Sequence, residues 1–226
     1  NEPIKHHMKK LLLICIAAFA AASCTQEKQQ SKPLYMWFDC EGNYATLSHP
    51  DSIRYYVSKI HDMGFTDVVV DVKSIMGETL YKSDIAPYMG EWDGVTRPEN
   101  YDLLGYFIEE GHKLGMRVHG SLNVFAGGHN FFDRGIIYGD HADWQSQVYT
   151  EGKIVPISEI KSNYNGMLNP ANPEVQEYEL AILREFAEKY PDVDGIVFDR
   201  VRFDNITSDF SPLSKELFEA YAGTKV

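Results

Sequence analysis

Apolar positions along the chain follow two periods. Short dense apolar runs, the mark of buried strands, alternate with stretches in which apolar residues return every third or fourth position, the mark of helices. Leu34 to Phe38 is the first dense run and predicts a strand that delivers Asp39, Cys40 and Glu41 to a loop. His49-Pro50 opens a helix with Ile53, Tyr56, Val57, Ile60 and Met63 at helical spacing, and Gly64 caps it. Asp67 to Lys73 is a second strand, dense in valine as buried parallel strands are. A loop of about 26 residues follows, rich in Gly, Pro and aromatics. Asn100 to Leu114 predicts a second helix stopped by Gly115. Arg117 to Phe125 is a third strand, in which His119, Ser121 and Asn123 alternate with Val118, Leu122 and Val124.

The segment from Ala126 to Ala171 carries one hairpin signal, two short apolar runs around a Glu151-Gly152 turn. Structureless segments of such length are often binding or lid elements. Asn172-Pro173-Glu174 then starts a third helix, with an N-cap, a first-turn proline and a first-turn acid. Asp194-Gly195 turns into a fourth strand ending at Asp199, and Ser211-Pro212 opens a fourth helix. In that strand Val197, Asp199 and Val201 are expected on one face, and Ile196, Phe198 and Arg200 on the other.

The order is therefore βαβαβαβα, with long loops after strands and short loops after helices. That order means parallel strands joined by helical crossovers. Loops long only after strands suit a (βα)8 TIM barrel, whose site is built by those loops. Four units are present where a barrel needs eight. The expected fold class is α/β, a (βα)8 barrel represented by its first four units and truncated at the C-terminus. A doubly wound sheet is the alternative; it would want a Gly-rich phosphate loop after the first strand, and none is there.

The N-terminus is patterned differently. Lys9-Lys10 precedes an apolar run from Leu11 to Ala20, and Ala21-Ala22-Ser23 precedes Cys24. A charged start, a short apolar centre and small residues before a cleavage point describe a secretory signal. The run is too short for a comfortable transmembrane helix. A cysteine directly after the small residues looks like a bacterial lipobox, which would make Cys24 the lipidated first residue of the mature chain; the other reading is an ordinary signal with an incidental cysteine. Residues 1–7 precede Met8 and read as upstream sequence. Residues 1–23 are thus expected to be a signal peptide with upstream residues, 24–33 a lipidated polar tether, and 34–226 the first half of the barrel. The expected location is the bacterial cell envelope, lipid-anchored.

The chain carries a formal charge of −12, and removing the signal makes it more acidic still. That argues against a nucleic-acid partner, which would need a basic face. Cys15 would leave with the signal and Cys24 would carry lipid, so Cys40 has no disulfide partner within the chain. It is either a small buried residue or a nucleophile. Asp140, His141 and His129 match no metal-ligand spacing, and neither metal nor cofactor is expected.

Asp199 is the first catalytic candidate. A carboxylate that closes an apolar strand is costly to bury without partners, and strand C-termini are where α/β sheets and barrels do chemistry. The alternative is a strand-end Asp that caps a loop or pairs with Arg200 or Arg202.

Several segments together resemble the glycosyl hydrolase-like 10 family, amylase-like barrels often found as bacterial lipoproteins. Pro191 to Asp199 is similar to that family's fourth strand, and Met167 to Val175 to the segment before its third helix. Val118-His119-Gly-Ser-Leu-Asn123 is similar to its third strand. Gly77-Glu-Thr-Leu-Tyr81, with Ser83 and Pro87, resembles its second βα loop. His141-Ala-Asp-Trp144 with Glu151-Gly152-Lys153 resembles its hairpin. The matches cover most of residues 34–210 in the family's order. The chain departs from the family where Arg200 replaces a second acid, Lys73 a strand-two Arg, and Glu78 a loop Asp; Val197 stands where amylases proper carry an Arg.

The resemblance implies a glycoside hydrolase acting on a polysaccharide or a peptidoglycan glycan strand, with Asp199 as nucleophile of a retaining mechanism and a general acid on a fifth strand. Arg200 or Arg202 would keep Asp199 ionised. Asp39, Asp71 and Lys73 end strands where a barrel places ligand groups, and Glu78, His119 and Asn123 are further candidate sugar contacts. Among Trp37, Tyr81, Trp92, Phe125 and Trp144, Trp37 and Trp92 are taken as stacking platforms. The alternative function is a non-catalytic glycan-binding lipoprotein on the same scaffold. A hydrolase or lyase built on Cys40 is a third possibility.

Overall fold

A computed structural model describes residues 32–226. The expected signal peptide, Cys24 and nearly all of the tether lie outside the described residues.

The framework is a four-stranded parallel sheet. Its strands are β1 (Tyr35–Phe38), β2 (Asp67–Lys73), β5 (Arg117–Asn123) and β10 (Gly195–Asp199), in the order β1-β2-β5-β10. Helix α1 (Pro50–Asp62) follows β1, α2 (Leu103–Lys113) leads into β5, α3 (Pro173–Lys189) leads into β10, and α4 (Pro212–Ala222) follows β10. Strand neighbours are also sequence neighbours among the units, as βαβ crossovers require. The remaining strands form three antiparallel ribbons in the long loops: β3 (Glu91–Trp92) with β4 (Val95–Thr96), β6 (Ala126–His129) with β9 (Asn165–Met167), and β7 (Gln147–Thr150) with β8 (Lys153–Pro156). The β7–β8 turn is the expected one: Glu151 and Gly152 both take positive φ, 50° and 80°, the pair of angles a two-residue hairpin of matching twist needs.

Local chemistry explains the helix limits. Pro50 sits in the first turn of α1, and Gly64 leaves the helix at φ +91°. Asp102, Asn172 and Ser211 cap α2, α3 and α4 by accepting from Gly105 N, Glu174 N and Ser214 N. The second helix thus begins at Leu103, a few residues later than its apolar spacing suggested, because Asp102 is the residue able to close its first turn.

The sheet has two unlike faces. Phe38, Val68, Val70, Val72, Val118 and Leu122 pack with Ile53, Val57, Phe107, Ile182 and Phe186 of the helices. Each fully buried side chain of this kind contributes about 1.5–3 kcal/mol. Gly120 lets α3 approach: a Cβ there would lie 2.4 Å from Phe186 Cζ. A second core, with Ile136, Ile137, Trp144, Met167, Leu168 and Val175, supports the long βα loop.

The opposite face follows from register. Trp37 pairs with Val69, Asp71 with Ser121, and Val197 and Asp199 with Ser121 and Asn123. In parallel strands paired residues face the same way, so Trp37, Asp71, Ser121, Asn123, Val197 and Asp199 share the face away from the helices. The alternation expected for β10 stops at Asp199. Arg200 is left-handed, with φ 53°, so Val201 does not continue the Val197–Asp199 face.

Candidate active site

The C-terminal ends of the four strands gather Trp37, Asp71, Asn123 and Asp199 on one side of the sheet. Trp37 Nε1 donates to Asp71 Oδ1 at 2.8 Å. Asp71 is buried, and burial pushes its carboxyl up to about 7, with the charges of Glu41 and Asp39 adding to the effect. Ser121, its register partner, is also buried, and its hydroxyl lacks a well-aligned partner. Asn123 is buried between two anchors: its Nδ2 donates to Lys73 O at 2.9 Å, and its Oδ1 accepts from Arg200 Nε at 2.9 Å.

Asp199 is half-buried at the end of β10, where its Oδ1 accepts from Arg200 N at 2.6 Å. Neither Arg200 nor Arg202 forms an ion pair with it among the described residues. Arg200 instead spans Asn123, Asn165 Oδ1 at 2.5 Å and the Tyr164 hydroxyl at 3.2 Å. Its guanidinium meets only neutral acceptors there, so it forms a cationic brace beside the strand end. Arg202 is exposed and donates to the carbonyls of Phe203 and Asp204.

Other candidates fall elsewhere. Lys73 lies past a register shift between Asp71 and Lys73, which turns its side chain through the sheet to α3. Its ammonium is fully buried, donating to Glu179 at 2.8 and 2.9 Å and to the carbonyls of Asn123 and Val124. Burial lowers its pKa and raises that of Glu179 to about 7, while each charge favours ionisation of the other. Lys73 is a structural ion pair behind the site. His119 bonds Asp67 Oδ1 at 2.8 Å, and Arg117 donates to the same Asp67 carboxylate. That cluster stands at the N-terminal ends of β2 and β5, away from Asp199. Glu78 is held by Arg134 Nε and Nη2 at 2.9 and 2.6 Å. It lines an open cleft of about 550 Å³ with Ser83, Asp84, Ile136, His141 and Tyr178, and none of Asp39, Asp71, Asn123 or Asp199 lines that cleft. Asp39 is exposed and caps its own loop through Gly42 N at 2.5 Å. Tyr81 and Trp144 are core residues.

Cys40 is buried beside Glu41, whose Oε2 lies 3.1 Å from its sulfur. Burial and the neighbouring acids push the thiol well above its ordinary value. It is held protonated, the wrong form for a nucleophile. Cys40, Glu41 and Asp71 have donor atoms within 4.8 Å of one another, close enough to share a metal ion.

Sequence reasoning overlooked an aromatic group on the β6–β9 ribbon. His129, Phe131, Phe132 and Tyr164 assemble with Trp92 of the β3–β4 hairpin. Trp92 and Phe132 meet edge-on at 5.2 Å, His129 lies 4.5 Å from Phe132, and His129 and Tyr164 are 5.6 Å apart. The adjacent Phe131-Phe132 pair was the available signal, set in a stretch without periodicity.

The family model described as glycosyl hydrolase-like 10 matches residues 36–225. An S-layer-related protein of Niallia circulans is 32% identical over 204 residues, 86% of this chain and 13% of that protein. Glycosyl hydrolase DigH of Escherichia coli K12 is 29% identical over 151 residues, 61% of this chain and 31% of that protein. The chain thus spans well under half the length of either relative. Among solved structures, the fold is similar to α-L-fucosidase isoenzyme 2 of Paenibacillus thiaminolyticus, with TM-score 0.58, 16% identity, and coverage of 85% of this chain and 26% of that one. It is also similar to a hypothetical protein of Ruminiclostridium thermocellum, with TM-score 0.54, 21% identity, and coverage of 84% and 90%.

Proposed function

The chain belongs to the glycosyl hydrolase-like 10 family, and on that footing we propose that it is the N-terminal half of a (βα)8 glycosidase barrel acting on a polysaccharide or peptidoglycan glycan strand. Asp199 is the nucleophile of a retaining reaction. The observation that carries the reading is the position of Asp199, at the C-terminal end of β10, on the same sheet face as Trp37, Asp71 and Asn123.

In this mechanism an Asp199 oxygen bonds to the anomeric carbon as the glycosidic C–O bond breaks. The leaving oxygen keeps the bonding electrons and takes a proton from a second carboxylic acid, and water later displaces Asp199. The second acid comes from the end of a fifth strand in the complete polypeptide. Arg200 stays pinned by Asn123 and Asn165, which holds its guanidinium beside the strand end. The half-barrel reading is supported by what remains uncovered. Ile196 and Phe198 on β10 are 37% and 58% exposed, and α4 buries no residue. In the same reading, Cys24 carries lipid and holds the protein on the cell envelope.

The test is Asp199→Asn in the complete polypeptide, assayed for release of reducing ends from glycan strands and polysaccharides. Hydrolysis should fall by a factor of at least ~10³, while glycan binding persists. Unchanged hydrolysis would overturn the assignment.

A further inference from the structure

We propose that the aromatic group Trp92–Phe132–His129–Phe131–Tyr164 is a stacking ledge on which successive rings of a glycan chain lie as the chain approaches Asp199. The proposal rests on the carbohydrate reading of the Asp199 site and deepens it, naming the surface outside the strand ends that holds the polymer.

Exposure is the first observation. Phe131, Phe132 and Tyr164 are 59%, 60% and 40% exposed. Scattered exposed aromatics are ordinary, but a contiguous group marks a binding surface. These rings touch one another through His129, which lies 4.5 Å from Phe132, 5.6 Å from Phe131 and 5.6 Å from Tyr164.

Rigidity is the second. The turn bearing the two phenylalanines is tied down by its backbone: His129 N donates to Arg134 O and Asn130 N to Tyr164 O, both at 2.8 Å. Asn130 is buried, and its Nδ2 reaches the carbonyls of Ile157, Asn163 and Asn165 at 3.0–3.1 Å. A ledge fixed before binding loses little entropy when a ligand settles on it.

Continuity with the strand end is the third, and it selects the occupant. Tyr164 OH accepts from Arg200 Nη2 at 3.2 Å, and the Arg200 guanidinium lies 5.7 Å from the Tyr164 ring. Arg200 directly follows Asp199. At the far end, the Arg134 guanidinium lies 5.5 Å from the Trp92 ring. Apolar ring surface bounded by polar groups matches a sugar ring, which offers C–H faces and hydroxyl edges. A partner-protein helix would call for a longer continuous apolar groove, whereas this row of rings is bounded at both ends by a guanidinium.

The experiment uses the complete polypeptide and its Phe131→Ala, Phe132→Ala and Phe131→Tyr forms, with unfolding midpoints confirming that each is folded. Affinity electrophoresis in gels containing peptidoglycan glycan strands, starch or xylan reads polymer binding; size-exclusion chromatography reads self-association. The parent should be retarded by at least one polymer. Each alanine form should weaken that binding at least tenfold, and Phe131→Tyr should retain it. No retardation of the parent, or equal retardation of parent and alanine forms, overturns the ledge. So does a parental dimer that the alanine forms convert to monomers, which would make the patch a self-association surface. Asp199→Asn separates the two claims. Hydrolysis that survives it removes the nucleophile and leaves the ledge standing on binding alone, whereas unimpaired binding by the alanine forms removes the ledge and leaves Asp199 untouched.

Discussion

Asp71 is a carboxyl group that folding places where its charge is disfavoured. Its burial, with Glu41 and Asp39 close by, lifts it from an ordinary 3.8 to about 7. The folded chain therefore keeps this proton up to about pH 7, whereas the unfolded chain releases it near 3.8. Stability that is intact below about pH 4 is withdrawn as pH rises toward 7, on the order of 4 kcal/mol if Asp71 alone is counted. Asp71→Asn keeps an acceptor for Trp37 Nε1 and has no charge to bury. Its stability relative to the parent should climb between pH 4.5 and pH 7.5 in urea titrations. A difference that stays flat across that range would mean the group does not titrate as described. At this scale the sequence was informative for Asp199 and Asn123, whose faces within their strands follow from alternation. It misplaced Lys73 because an irregularity in the ladder turned that side chain through the sheet. It misplaced His119 because the facing Asp67, which captures its ring, belongs to a different strand.

At the scale of elements, the helices and main strands were legible because burial imposes periods that survive in sequence. The β3–β4 and β6–β9 ribbons were not. The β3 and β4 strands are two residues each, too short to show a period, and β6 and β9 are rich in glycine and pair across a long stretch of chain. The ledge went unrecognised for the same reason, since its rings come from two ribbons that no local pattern links. The packing of α3 on the sheet offers a sharper test. Gly120 sits in mid-strand, where glycine normally weakens a sheet. It is there because Phe186 occupies the space a side chain would take, its Cζ only 2.4 Å from where a Cβ would stand. Gly120→Ala should force that ring aside and cost about 1–3 kcal/mol, the usual range for overpacking. Equilibrium unfolding measures it; a neutral result would show that α3 can slide. Pairing the change with Phe186→Leu should return part of the loss, because the second substitution vacates the contested volume.

Stability is unevenly spread over the whole molecule. The valines of β2 are buried on both faces, β5 is buried from Val118 to Asn123 except at His119, and α1, α2 and α3 each bury a row of side chains over them. At the β10 end, every second strand residue is exposed and α4 contributes nothing to the core, with Leu217, Phe218 and Tyr221 at 50%, 54% and 92% exposure. Helical hydrogen bonds without tertiary support open readily, because packing rather than propensity supplies most helix stability. In this 226-residue chain, α4 amides should exchange with solvent through local fraying, orders of magnitude faster than those of β2 and β5, which await global unfolding. Hydrogen exchange followed by mass spectrometry resolves the two regions. The same peptides also test the half-barrel reading, since in the complete polypeptide a further βα unit would cover Ile196, Phe198 and the apolar side of α4. Protection there should then rise toward that of α3. If α4 exchanges equally fast in both lengths of chain, nothing packs against it, and the sheet described here is not the opening arc of a closed barrel.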